Sequence, residues 1–86
     1  METLYPLTIP AFQTKSELVY QAVRGMIMHG EMKPGDRVVV GRIAKQLNVS
    51  DTPVREAIKQ LVSDGFLEES VHVGAIVPIF TLEEVE

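Results

Sequence analysis

Eighty-six residues without a cysteine describe one small domain with no disulfide framework. Hydrophobic residues at 45% and charged residues at 23% exclude a disordered polar chain, and no run approaches the ~20 apolar residues of a membrane span. The net charge of −4 argues against a polyanion partner, yet it averages unlike segments. Residues 15–59 hold all eight basic residues and five acidic ones, a net +3, while the flanks hold seven acids and no base. The chain opens without the basic and apolar regions of a secretory signal, so a cytoplasmic setting is expected.

Residues 1–13 contain Pro6 and Pro10 and no helical period, and read as an extended arm. Thr14-Lys15-Ser16-Glu17 has the form of a capping box, in which Thr14 caps an amide and Glu17 reaches back. Leu18, Val19, Ala22, Val23, Met26 and Ile27 then recur at helical spacing, and Gly30 ends this first helix. His29, at its end, complements the helix dipole, with no second metal ligand spaced to match. Lys33-Pro34-Gly35-Asp36 reads as a tight turn, followed by a short β-branched strand over Arg37–Val40. Met26, Met28 and Met32, with Tyr20 and Phe66, read as packing groups.

A second helix is expected from Gly41 to Leu47, with Ile43, Ala44 and Leu47 inward and Asn48 closing it in the left-handed conformation. Ser50 suits the N-cap of a third helix, and Pro53 is tolerated in its first turn. Val54, Ala57, Ile58 and Leu61, joined by Val62, form its apolar stripe, and Gly65 stops it. Phe66–Glu69 and Ala75–Ile79 read as two strands of a hairpin closed by Ser70–Gly74. Thr81-Leu82-Glu83-Glu84 has the form of a second capping box, so 81–86 reads as the start of a linker or helix into a further domain.

Two short helices joined by Asn48-Val49 meet the local requirement for a helix-turn-helix, and the hairpin after them makes a wing. The third helix projects Thr52, Arg55, Glu56, Lys59 and Ser63 away from its apolar stripe. Arginine suits a bidentate bond to guanine O6 and N7, and lysine suits phosphate. From spacing alone, Lys45, Arg55 and Lys59 fit a DNA contact and a solvated face equally well. His72 fits a wing residue near a minor groove or an exposed turn. Nothing resembles catalytic or metal-ligand spacing, so an enzyme is not expected.

Four segments carry a resemblance. Val19–Arg24, Gly30-Glu31-Met32-Lys33-Pro34-Gly35-Asp36-Arg37, Ile43-Ala44-Lys45-Gln46-Leu47-Asn48-Val49-Ser50 and Thr52-Pro53-Val54-Arg55-Glu56-Ala57-Ile58-Lys59-Gln60-Leu61 resemble the N-terminal domain of GntR-family bacterial regulators. Gly65-Phe66-Leu67-Glu68 continues the match, which covers about residues 15–80. The resemblance implies a mainly α fold with a small β-hairpin, a winged helix-turn-helix over 14–80. It also implies binding of double-stranded operator DNA, usually by a homodimer on a palindrome, and a ligand-responsive repressor in full-length form. The ending at 81–86 is similar to the opening of the effector domain in the FadR-like branch, which often binds organic acids and sometimes a metal.

Carried over by position, Thr52, Pro53 and Arg55 match the start of the family's recognition helix. Ser50 matches a phosphate contact and Gly74 the glycine of the wing tip; Arg42, Lys45, Lys59 and His72 complete the expected DNA-binding set. The chain departs from the family pattern at Asp51, where arginine is usual, at Gly41, although Arg42 is adjacent, and at Val39, where a serine cap is usual. Its wing carries His72 instead of arginine or lysine. Asp51 suits the positive helix N-terminus, repels phosphate and can accept from cytosine N4, so the operator is expected to differ from the common family half-site where Asp51 faces it. Use of the winged helix for protein–protein contact is the alternative, favoured by the acidic wing.

Overall fold

The computed structural model describes residues 14–79; the expected arm at 1–13 and the second capping box at 81–84 lie outside them. In chain order the elements are α1 (Lys15–Met28), β1 (Arg37–Val38), α2 (Val40–Leu47), α3 (Asp51–Ser63), β2 (Glu68–Ser70) and β3 (Gly74–Ile76). The strands form one antiparallel sheet in the order β1-β3-β2.

The capping box at the start of α1 closes in both directions. Thr14 Oγ1 accepts from the Glu17 amide at 3.1 Å, and the Glu17 carboxylate accepts from the Thr14 amide at 3.0 Å. Val19 and Val23 are buried, chiefly against α3, while Met26, Ile27 and Tyr20 pack beside them. Leu18 and Met28 depart from expectation, with 53% and 60% of their surface exposed. The buried stripe of α1 is therefore narrower than its run of apolar residues.

Beyond α1 the chain turns at 33–36 as its proline and glycine dictate. The Asp36 amide donates to the Lys33 carbonyl at 2.9 Å, the Asp36 side chain accepts from the Lys33 amide, and Gly35 sits at φ +90°. Two further bonds tie this turn to the end of the sheet: the Gly35 amide donates to the Val77 carbonyl at 2.8 Å, and the Val77 amide to the Asp36 carbonyl at 2.9 Å.

The strand expected over 37–40 is shorter, because Val39 serves as the N-cap of α2 and the helix begins at Val40. Val39 keeps an extended backbone and offers no side-chain cap, as a valine must. Ile43 and Ala44 are buried, and Asn48 closes α2 in the left-handed region at φ 59°, ψ 49°. The Val49 amide donates back to the Ala44 carbonyl at 2.9 Å, which satisfies a carbonyl that the helix leaves open. Ser50 then occupies the N-cap of α3 with an extended backbone, although its hydroxyl makes no cap bond.

Val54, Ala57 and Leu61 of α3 are buried, and Ile58 and Val62 pack at the edge of the core. Gly65, at φ +88°, reverses the chain, and the Phe66 and Leu67 amides both donate to the Leu61 carbonyl. Those bonds hold Phe66 and Leu67 in the helix cap, so β2 starts at Glu68 instead of Phe66. β3 likewise ends at Ile76, since Val77 turns to the 33–36 loop and Pro78 has no amide to continue the ladder. Val38, Leu67, Ala75 and Val77 close the core from the sheet side, and no polar or charged side chain is buried among the described residues.

Candidate nucleic-acid interface

α2 and α3, joined at Asn48-Val49, form a helix-turn-helix whose second helix is fixed by its buried face. Leu61 and Val54 are fully enclosed, so the opposite side of α3 must look outward. That side holds Thr52, Arg55 and Lys59, all exposed, with Asp51 at the first helical position and Pro53 half-buried in the same turn. Ser50, exposed at the N-cap, keeps its hydroxyl out of any cap bond. Arg42 and Lys45 of α2 are exposed as well. His72 lies in the turn between β2 and β3, and Gly74 opens β3 at φ +83°, a conformation that costs glycine nothing.

Charge divides along α3. The flank toward α1 carries Glu56 and Gln60, which line a groove of about 450 Å³ with Glu17 and Tyr20. A groove with two carboxylates on its walls does not suit a phosphate backbone. Two of its lining residues are held by Asp64, the C-cap of α3, whose carboxylate accepts from the Tyr20 hydroxyl at 2.5 Å and from the Gln60 amide at 3.0 Å. The hydrogen bond to Asp64 raises the Tyr20 pKa above its ordinary value, because deprotonation would destroy the donor.

Two further arrangements shape the charge of this surface. Asp51 Oδ2 stands 3.6 Å from Arg55 Nη2, one helical turn away; the four-residue spacing is itself the signal for such a pair. Arg37 joins the wing sheet, because β1 pairs with β3 and sets Arg37 opposite Ile76, whose other neighbour is Glu68. A pairing between residues so far apart in sequence leaves no local signal. Arg24 is committed elsewhere, its guanidinium 5.1 Å from the centroid of the Phe66 ring. The wing tip itself is apolar around His72, with Val71 93% exposed.

Three helices, a helix-turn-helix and a three-stranded sheet with an exposed β2–β3 turn define a winged helix-turn-helix. The chain matches the family model of bacterial regulatory proteins, gntR family, over residues 15–77, and it belongs to that family of DNA-binding transcriptional regulators. It is 34% identical over 67 residues to the HTH-type transcriptional regulator YdhC of Bacillus subtilis, covering 78% of this chain and 30% of that protein. It is 46% identical over 48 residues to a probable D-xylose utilization operon transcriptional repressor of Paenarthrobacter nicotinovorans, covering 56% of this chain and 21% of that one. Among solved structures, E. coli McbR/YncC superposes with a TM-score of 0.75 at 30% identity, covering 86% of this chain and 35% of McbR. The chain thus spans less than a third of the curated relatives it matches here. These relatives are regulators and not enzymes, and none of them supports the protein–protein alternative. No helix among the described residues is long and apolar enough to cross a membrane.

Proposed function

We propose that this chain reads an operator in double-stranded DNA for a ligand-responsive repressor of the FadR-like branch, acting in the cytoplasm as a homodimer on a palindromic site. The observation that carries the reading is the outward strip of α3. Thr52, Arg55 and Lys59 follow one another at about one-turn intervals on a helix whose other side is locked into the core by Val54, Ala57 and Leu61. Such a helix can enter a major groove without rolling. Arg55 then donates to guanine O6 and N7, and Thr52 lies within reach of the same base edges. Lys59, Ser50 and the α2 residues Arg42 and Lys45 supply phosphate contacts, which set register and not sequence. The wing, through His72 and the close approach allowed by Gly74, reaches the adjacent backbone or minor groove.

An effector domain following the winged helix, answering to an organic acid, would supply the dimer. Linking two half-site readers raises the effective concentration of the second, so the dimer binds far more tightly than one domain. The repressor name of the Paenarthrobacter relative supports the direction of regulation. Titration of the protein against DNA from its own promoter at increasing salt tests the reading. Contact with several phosphates gives a log–log slope of about −0.9 per phosphate neutralised. Absence of a salt-sensitive complex overturns the proposal.

A further inference from the structure

Asp51 and Arg55 face each other across one turn of α3 at 3.6 Å, with 53% and 61% of their side chains open. At that distance the contact is one of charge and not a hydrogen bond, and in water it is weak. Its setting changes once DNA excludes solvent from the same surface, because the lower local dielectric strengthens every charge contact there. A guanidinium presents five N–H donors in a planar fork, so a carboxylate beside one hydrogen of Nη2 still leaves an edge with two parallel donors. That edge fits guanine O6 and N7. The other Asp51 oxygen remains an acceptor, which only a base with an exocyclic amine can satisfy in the major groove: cytosine through N4 or adenine through N6.

We infer that Asp51 and Arg55 work as one reading unit, in which Asp51 holds the Arg55 fork on a guanine and itself accepts from the amine of the neighbouring base pair. The inference rests on the operator-reading function proposed above and goes beyond it by coupling two operator positions through one side-chain pair. Asp51 also repels phosphate, so it lowers affinity for unrelated DNA while sharpening the choice among sequences.

The test is selection of bound sequences from random duplex DNA by the intact protein. Affinities are then measured for all base combinations at the two positions, with the wild type, Asp51→Ala, Asp51→Asn, Arg55→Ala and the double variant Asp51→Ala/Arg55→Ala. Asp51→Ala is expected to weaken discrimination about tenfold at both positions while affinity for random DNA rises. Asp51→Asn, which keeps the shape without the charge, weakens the guanine preference as well. In the Arg55→Ala background, Asp51→Ala changes nothing further at the guanine position. If the guanine preference is undiminished in both Asp51 variants, the coupling is wrong although the operator reading stands. A wild type that selects no sequence at all overturns the operator reading itself, and the coupling with it.

Discussion

The Tyr20 hydroxyl and the Asp64 carboxylate meet at 2.5 Å, joining the middle of α1 to the C-terminal cap of α3. This bond works only while Tyr20 keeps its proton. A tyrosine whose pKa is raised in the folded protein contributes stability that is fully present below its unfolded value of about 10 and lost as pH climbs through the higher folded value. Thermal melts should therefore show Tm falling on the alkaline side. Tyr20→Phe should lower Tm at neutral pH and flatten that alkaline fall; an alkaline fall equally steep in the variant would mean another group controls it.

The turn of the helix-turn-helix depends on Asn48 at φ 59°. A left-handed backbone costs an ordinary L-residue roughly 1–2 kcal/mol, and a β-branched one the most. Asn48→Val should destabilise the domain by about that amount in urea titrations, whereas Asn48→Gly should be close to neutral. Equal losses in both variants would show that the amide side chain, and not the backbone conformation, matters at this corner.

Local chemistry made the helices readable. Thr14 and Glu17 announce a cap, Asn48 a left-handed close, and the spacing of Val54, Ala57 and Leu61 a buried face. What escaped depends on partners distant in sequence. Leu18 belongs to the apolar run of α1, yet the core reaches α1 from the side of Val19 and Val23 and leaves it exposed. The strand at Arg37 and Val38 is legible in its β-branched run, but its pairing of Val38 with Ala75 is not, and the limits of β3 follow from the bonds between Val77 and the 33–36 turn. The candidate interface was legible in its residue types, since Arg55 and Lys59 stand opposite a clear apolar stripe. Asp51 is legible there too, one turn before Arg55, whereas the gathering of Glu17 and Glu56 on the α1 flank is not, because only the packing of α1 on α3 brings them together.

Leu61 is the largest side chain in the centre of the core and is wholly enclosed. Its truncation removes buried hydrocarbon and leaves a cavity, at a cost of about 2–5 kcal/mol for Leu→Ala. A domain of this size has a total stability near the low end of the ~5–15 kcal/mol range. Leu61→Ala should therefore populate the unfolded state at room temperature, visible as a collapsed urea midpoint with an early loss of helical circular dichroism. Retention of the wild-type midpoint would mean that the core does not centre on α3.

Arg55 and Lys59 are neighbours on one strip, but their proposed duties differ, and binding measured against salt separates them. A lysine that meets only phosphate contributes equally to all sequences, so Lys59→Ala should weaken specific and random DNA alike and reduce the salt slope by about one. An arginine bidentate to guanine carries information instead. Arg55→Ala should cost about 1–3 kcal/mol on the preferred sequence and much less on random DNA, so that the ratio between them shrinks. Loss of Arg55 also frees Asp51 from its 3.6 Å partner, leaving an unpaired carboxylate near the phosphates. The double variant Asp51→Ala/Arg55→Ala should accordingly bind random DNA more tightly than Arg55→Ala alone. If Arg55→Ala lowers both affinities by the same factor, Arg55 is a backbone contact and the choice of sequence lies elsewhere on the winged helix.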